Sequence, residues 1–274
     1  MWDAGQYLRF GGERARPFFD LVAQVGATAP RYVADLGCGP GNLTAALAER
    51  WPDATVVGVD NSPEMIDAAR ASARGPAVGF AAGSPGGGPA NLSFALGDVR
   101  DWRPERPLDV LVCNAVLQWV PGHDELLLRW ADLLAPGGWL AFQLPGNFDQ
   151  PSHAIVKEMA ASPRWRGPLA DARLNRQAGD PADYVALLAR PGFEVDAWET
   201  SYLHILHGEN PVLEWTRGTT LRPVLAALDA EQAAAFVAEY GERLAAEYQP
   251  HPFGTIFPFR RVFAVVRRAD LGRG

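Results

Sequence analysis

Val33-Ala-Asp-Leu-Gly-Cys-Gly-Pro-Gly-Asn42 is the stretch that decides the fold. The apolar run Tyr32–Leu36 predicts a strand, and Leu43–Arg50 predicts a helix directly after the glycines. Gly37, Gly39 and Gly41 carry no Cβ, so the chain can turn tightly there and let a ligand approach the main chain. Asp60 closes the next apolar run, 19 residues beyond Gly41, where a carboxylate can accept both hydroxyls of a ribose. Strand, glycine loop, helix, strand and acid together predict a nucleoside-binding α/β fold.

Outward from this unit the first half keeps the same alternation. Further strands are expected at Thr55–Val59, Leu92–Leu96, Val110–Cys113 and Trp139–Gln143, and helices at Pro63–Ala73 and Asp124–Leu134. Asn42, Ser62 and His123/Asp124 stand where helix caps belong, and Pro136-Gly137-Gly138 reads as a helix stop. This rhythm predicts a doubly wound, mostly parallel sheet with helices on both faces. Gly75–Ala90, rich in glycine and proline, reads as a flexible surface loop without chemistry. Beyond it, helices are expected at Ala154–Ala161 and Pro181–Ala189, and a strand at Glu194–Leu206. A helical excursion then covers Asn210–Leu228 and Asp229–Gln249, with Phe236, Tyr240, Leu244 and Tyr248 on one face at i+4 spacing. Ile256–Val266 returns as a final strand, so the helices form a cap inserted before it.

Composition narrows the function. With 274 residues, 48% of them apolar, a substantial core is available. A net charge of −7 argues against binding nucleic acid. Lys157 is the only lysine among 25 basic residues, which leaves lysine nucleophiles almost no place. Cys38 and Cys113 are too few for a disulfide framework, and the scattered histidines do not show zinc-ligand spacing, so no metal is expected. The first ten residues contain no apolar h-region and no stretch reaches 18 apolar residues, so a cytoplasmic protein without membrane partners is expected.

The kind of nucleoside follows from three details. The glycines are spaced G-x-G-x-G, unlike the dinucleotide fingerprint G-x-G-x-x-G. The helix after them lacks the third glycine that supports a pyrophosphate. Asp35, two residues before Gly37, would repel a pyrophosphate but suits a cofactor with an ammonium and a sulfonium. S-adenosylmethionine is such a cofactor. Residues 1–150 hold 11 basic and 17 acidic side chains, a surplus that also favours a cation. A nicotinamide-dependent oxidoreductase remains the alternative from another class.

Asp35-Leu-Gly-Cys-Gly-Pro-Gly41, Asp60, Gly97-Asp98-Val99, Asn114 and Leu134-Ala-Pro-Gly-Gly138, in this order, resemble the class I S-adenosylmethionine-dependent methyltransferases. The resemblance implies a Rossmann-like, seven-stranded sheet. It also implies that Asp35, Gly37 and the Asn114 main chain flank the methionine moiety. Asp60 would hold the ribose with Gly39, Gly41, Asn61 and Met65 around the cofactor, and Asp98 with the Val99 amide would read the adenine. It further implies one methyltransferase domain over 1–274: a helical lid at 1–29, a cofactor core at 30–150 and a substrate-side region at 151–274.

The flanks narrow the resemblance. Tyr7-Leu-Arg-Phe-Gly-Gly-Glu-Arg-Ala-Arg-Pro17, Asn114-Ala-Val-Leu-Gln-Trp-Val-Pro121, Gln143-Leu-Pro-Gly-Asn147, Asp196-Ala-Trp-Glu-Thr-Ser-Tyr-Leu-His204, Thr219-Thr-Leu-Arg-Pro223 and Phe259-Arg-Arg-Val-Phe263 resemble the trans-aconitate 2-methyltransferase family. That implies esterification of one carboxylate of a small tricarboxylate. Another dicarboxylate, or a malonyl-type thioester, is the alternative acceptor. A carboxylate is ionised at neutral pH, so no general base is required, and none is assigned. Because the reaction cancels two opposite charges, an arginine fork on the reacting carboxylate would favour the ground state. Arginines are therefore expected on the non-reacting carboxylates, with Arg222 and Arg261 first and Tyr202 and His204 adding hydrogen bonds. Gln118 and Trp119, after the fourth strand, are expected to face the methyl group, and Tyr7 and Arg14 to close over the ligands from the N-terminal lid.

Overall fold

The structure is a computed structural model, and it describes residues 11–74, 89–172, 174 and 178–270. Tyr7 and nearly all of the Gly75–Ala90 segment lie outside the described residues.

Five strands build the parallel part of the sheet: β1 (Tyr32–Leu36), β2 (Thr55–Asp60), β3 (Leu92–Leu96), β4 (Leu108–Asn114) and β5 (Leu134–Pro145). All five residues of β1 are buried, as an apolar run covered on both faces requires. The strands β6 (Phe193–Leu206), β7 (Pro250–His251) and β8 (Gly254–Arg268) complete the order β3-β2-β1-β4-β5-β8-β6, with β7 paired to β8. The path thus has the seven strands expected, and the short β7 adds an eighth. Arg268 donates to the Leu134 carbonyl at one end of β5, while the Gly146 amide donates to Arg260 just past its other end. β8 therefore runs antiparallel to β5.

The helices are α1 (Gly11–Ala23), α2 (Asn42–Arg50), α3 (Pro63–Arg74), α4 (His123–Asp132), α5 (Pro151–Ala161), α6 (Pro181–Leu188), α7 (Pro211–Arg217), α8 (Arg222–Ala227) and α9 (Ala230–Glu247). By contacts the chain divides into two compact units. The first comprises the described residues up to Leu144, Gly179–Glu199 and those from Val262 on; the second comprises Pro145–Ala178 and Thr200–Arg261. The first unit contains the parallel strands, packed through fully buried Val33, Leu36, Val56, Leu111 and Phe142. The second is built on aromatic contacts. Phe236, Tyr240 and Leu244 of α9 are fully buried, and Trp165 meets Phe236 edge-on at 5.2 Å. Asp229 and Gln232 cap α9 reciprocally, fixing where that apolar face begins.

Three local expectations are corrected. His123/Asp124 do not cap α4, because Gly122 does so from a left-handed turn with φ +69°. Asn42 does not cap α2: Gly41 does, with φ +79° and no side-chain bond, because the chain enters that helix straight from a left-handed turn. Ser62, by contrast, accepts the Met65 amide at 3.3 Å as a cap should. Pro136-Gly137-Gly138 does not terminate a helix, since α4 has already ended at Asp132. It forms an irregularity within β5, where the pairing with β4 shifts register between Leu108 and Val110. Gly137 there has φ +78°, and a Cβ on Gly138 would lie 2.7 Å from the Leu108 carbonyl oxygen.

Candidate active site

β1 has β2 on one side and β4 on the other, so the chain leaves the sheet in opposite directions around its carboxyl end. Crevices at such switch points are where open α/β sheets bind ligands. The loop after β1 lies here, and the Gly37 and Cys38 amides both donate to the Val59 carbonyl at the end of β2. The three glycines have different reasons to be glycine. A Cβ on Gly37 would come within 2.1 Å of Val116, in the segment that follows β4, and one on Gly41 within 2.5 Å of the Phe94 ring. Gly39, with φ +55°, has open space where its Cβ would be. Open space where a Cβ would stand is found at Gly39, whereas Gly37 and Gly41 must be glycine for their protein neighbours as well.

The acidic residues take distinct positions. Asp60 accepts the Gly39 amide through Oδ2 and the Ser62 amide through Oδ1, each at 2.9 Å, which ties the tip of the loop to the end of β2. Asp35, in the middle of β1's partners, is 2% exposed. Its Oδ2 accepts the Thr44 hydroxyl at 2.6 Å. Burial pushes its pKa up to about 6; the Thr44 bond opposes the shift and the nearby Asp60 charge adds to it. A carboxylate in this condition fits a cation. Asp98 is different. Arg100 donates to both of its oxygens, at 2.9 and 2.6 Å, and the Arg100 amide adds a third bond. These bonds, with a smaller one from Asn61, hold the Asp98 carboxyl down to about 2. Val99 and Met65 are buried, and Asn61 is exposed.

After β4 the backbone turns at Ala115, a non-glycine residue with φ +58°. Such a conformation costs a side-chain-bearing residue roughly 1–2 kcal/mol and is held here by neighbours. The Ala115 amide donates to the Gln143 carbonyl at 2.9 Å, and the Gln143 side chain donates to the Asn114 carboxamide oxygen. Gln118 Nε2 donates to the Ala115 carbonyl at 2.7 Å. Its Oε1 is buried and has no partner among the described residues. Trp119 next to it is 37% exposed. An open position at Gly39, a desolvated carboxylate at Asp35 and a buried acceptor on Gln118 together fit a nucleoside that carries positive charge.

The remaining candidates divide. Arg14 lies on α1, and Tyr7 falls outside the described residues. In the second unit, Tyr202 and His204 alternate inward on β6 and stack at 6.3 Å between ring centroids, and His204 stacks on Trp215 at 4.9 Å. Arg261 is 7% exposed, with its guanidinium 4.6 Å over the Phe259 ring, which itself meets His204 at 6.1 Å. Tyr202, His204 and Arg261 thus belong to one aromatic cluster. Arg222 opens α8 and is half-buried, and that burial lowers its pKa from the ordinary arginine value. Thr44 and Arg100, which set the state of Asp35 and Asp98, escaped sequence reasoning. Position could have suggested Arg100, two residues after its acid, whereas Thr44 meets Asp35 only because α2 folds back along β1.

The sequence profile of a methyltransferase domain matches residues 33–138, a span that holds Asp35, the glycine loop, Asp60, Asp98, Asn114 and Gln118. The chain is 53% identical over 270 residues to a trans-aconitate 2-methyltransferase of Streptomyces avermitilis, covering 97% of each. It is 50% identical over 270 residues to one of Rhodococcus jostii, covering 97% of this chain and 99% of that one. Among solved structures, the YcgJ protein of Bacillus subtilis superposes with a TM-score of 0.57 at 12% identity, covering 93% of this chain and 98% of that one.

Proposed function

Because the chain belongs to the trans-aconitate 2-methyltransferase family, we propose that it transfers the methyl group of S-adenosylmethionine to a carboxylate of trans-aconitate, giving the monomethyl ester. The observation that carries this reading is identity above half, spread over 97% of both chains. Likeness confined to the cofactor half would support the cofactor and leave the acceptor open.

S-adenosylmethionine, when bound, supplies an electrophilic methyl group on a sulfonium. The chain's own task is to hold the partners and keep competing groups away. Asp60 has lone pairs beyond those engaged by Gly39 and Ser62, and these are assigned to the ribose. Asp35 and Gly37, with the Asn114 main chain, are assigned to the methionine end. Asp98 and the Val99 amide are assigned to the adenine, with Arg100 fixing the Asp98 carboxylate. Gln118 and Trp119 are assigned to the neighbourhood of the methyl group. A neutral amide oxygen suits that place, because a carboxylate there would compete as a nucleophile.

Arg222 and Arg261 are assigned to the non-reacting carboxylates, Tyr202 and His204 to further hydrogen bonds, and Arg14 and Tyr7 to the lid. Residues 30–150 serve as the cofactor core and 151–274 as the substrate side. The reacting carboxylate is already ionised, so none of these residues has to remove a proton. In-line positioning of this kind can lower a barrier by up to roughly 7–11 kcal/mol.

The deciding experiment offers a methyl-labelled donor with trans-aconitate, citrate, itaconate or a malonyl thioester, and identifies the product by mass spectrometry. A labelled monomethyl ester formed most efficiently from trans-aconitate is expected. Preferential labelling of the thioester or of another acid would refute the assignment.

A further inference from the structure

The segment 115–120, which carries Gln118 and Trp119, is anchored at both ends. At its start the Ala115 amide donates to the Gln143 carbonyl of β5 at 2.9 Å. A single 3-10 turn, Leu117–Trp119, follows, closed by the Val120 amide on the Leu117 carbonyl at 3.0 Å. At the exit the Val120 carbonyl meets Nδ1 of His123 at 3.3 Å. Nε2 of the same ring meets the Tyr184 hydroxyl of α6 at 3.1 Å, and the Gly179 amide donates to that hydroxyl at 3.2 Å. Tyr184 is 2% exposed, and its ring packs edge-on against Phe142 of β5 at 5.1 Å.

These partners fix the state of the imidazole. A carbonyl can only accept, so Nδ1 carries the ring proton, and in the neutral ring Nε2 must accept. The Tyr184 hydroxyl is therefore the donor to Nε2. Burial pushes its pKa up to about 12, so it keeps the proton it donates. Asp124 Oδ1 stands farther from Nε2, at 3.6 Å, on an exposed side chain. With both ring nitrogens engaged, His123 has no lone pair left for a substrate and is not placed as a base. Its bonds act on the backbone instead. Gly122, at φ +69°, is the most permissive kind of residue, so a bond across this turn is what fixes where the segment leaves it.

We propose that His123 is a positioning residue: locked between the Tyr184 hydroxyl and the Val120 carbonyl, it holds the Leu117–Trp119 turn so that Gln118 and Trp119 keep their place beside the transferring methyl group. The place of Gln118 and Trp119 rests on the function proposed above; the lock rests on the hydrogen bonds themselves. A residue that acts through this turn affects S-adenosylmethionine, which carries the methyl group, more than S-adenosylhomocysteine, which lacks it. A residue that only supports the fold affects both alike.

His123→Ala removes both bonds. His123→Asn keeps a donor where Nδ1 stands, and Tyr184→Phe keeps the imidazole, so each retains the Val120 bond and loses the link to α6. Calorimetry measures the affinity of every variant for S-adenosylmethionine and S-adenosylhomocysteine, and steady-state kinetics uses the acid that the wild type methylates best. His123→Ala is expected to bind S-adenosylhomocysteine within twofold of wild type and S-adenosylmethionine at least fivefold more weakly. Its kcat should fall at least fivefold with the acceptor KM within twofold. His123→Asn and Tyr184→Phe should lie between, with a two- to threefold loss of preference for S-adenosylmethionine, and they carry the test should His123→Ala fold poorly. A preference unchanged in the variants that fold, whatever their melting temperatures, would assign His123 to the fold and overturn the proposal. So would a raised acceptor KM with kcat unchanged. If the wild type methylates another acid best, the assignment of trans-aconitate falls, and the ratio of the two cofactor affinities still decides the role of His123.

Discussion

The Thr44 hydroxyl donates to Asp35 Oδ2 at 2.6 Å, so a residue in the first turn of α2 is bonded to the one acid of β1, which is 2% exposed. Asp35 has its pKa raised to about 6, chiefly by burial. A carboxyl whose pKa is higher folded than unfolded binds its proton more tightly in the fold. Its contribution therefore favours the free protein at low pH and is lost as pH rises from about 4 to about 6. A shift of this size corresponds to about 3 kcal/mol. The cofactor's positive charge should reverse the balance, because it favours the ionised form. S-adenosylhomocysteine and S-adenosylmethionine should thus bind progressively more weakly below about pH 6. Asp98, held down to about 2 by Arg100, stays ionised throughout and does not contribute to that profile. Thr44→Val removes the bond that opposes the shift, and the midpoint of the affinity profile should move up. Asp35→Asn should flatten the profile, hold or raise the melting temperature of the free protein and weaken cofactor binding at least tenfold. Calorimetric titration at pH 5, 6, 7 and 8 measures all three.

The glycine loop gives a prediction that separates fold from ligand. Alanine at Gly37 must pass Val116 at 2.1 Å, and at Gly41 the Phe94 ring at 2.5 Å, in addition to a positive φ at each. Gly39→Ala meets only the conformational cost, roughly 1–2 kcal/mol, because nothing lies within 4 Å of its Cβ. Gly37→Ala and Gly41→Ala should therefore lower the melting temperature far more than Gly39→Ala does. Gly39→Ala should fold and still lose cofactor affinity. Equal losses of stability at all three positions would contradict the difference in surroundings.

How far such distinctions are visible in a sequence depends on the kind of interaction. β1 to β3 are legible almost to the residue; β1, buried throughout, stands out as an apolar run covered on both faces, whereas β3 is an edge strand without a buried residue and is marked by its alternation with the helices around it. α9 is legible through Phe236, Tyr240 and Leu244, whose spacing matches the helical repeat. Pro136-Gly137-Gly138 was not, because proline and glycine mark a strand irregularity and a helix end in the same letters. Asp35 and Asp60 stand out as acids beside a glycine loop, but their opposite surroundings do not. Asp35 is desolvated and Asp60 is bonded to two amides, conditions that only the packed sheet creates. His123 is the extreme case. Its bond to Tyr184 spans 61 residues of chain, and no local pattern announces that.

Gln118 provides a kinetic test. Its Nε2 is fixed on the Ala115 carbonyl, which leaves the buried Oε1 without a donor. If Oε1 meets the hydrogens of the transferring methyl group, each such contact is worth about 0.5–1 kcal/mol. That is roughly a two- to fivefold effect on rate. Gln118→Met keeps the length and removes the acceptor, so kcat should fall several-fold with the acceptor KM unchanged. Gln118→Glu introduces a charge and should increase the preference for S-adenosylmethionine over S-adenosylhomocysteine in direct binding. A change in acceptor KM alone would move Gln118 away from the methyl group.

Arg222 and Arg261 are assigned the same task but stand in different surroundings, and their variants should differ accordingly. Arg261 is 7% exposed and stacked on Phe259, so its side chain supports the aromatic cluster of Tyr202, His204 and Trp215 as well as any ligand. Arg261→Ala should lower both the melting temperature and the affinity for the acceptor. Arg261→Lys should recover little, because an ammonium lacks the planar face for stacking and the fork for a bidentate carboxylate. Arg222, half-buried at the start of α8, should tolerate alanine with little change in melting temperature. Its loss should raise the KM for trans-aconitate at least tenfold and leave cofactor affinity intact. Arg222→Lys should restore part of that loss, since a point charge can still attract a carboxylate from a less crowded position. Steady-state kinetics at low trans-aconitate, with thermal unfolding of each variant, resolves the two roles; equal KM values for Arg222→Ala and wild type would remove Arg222 from the acceptor site.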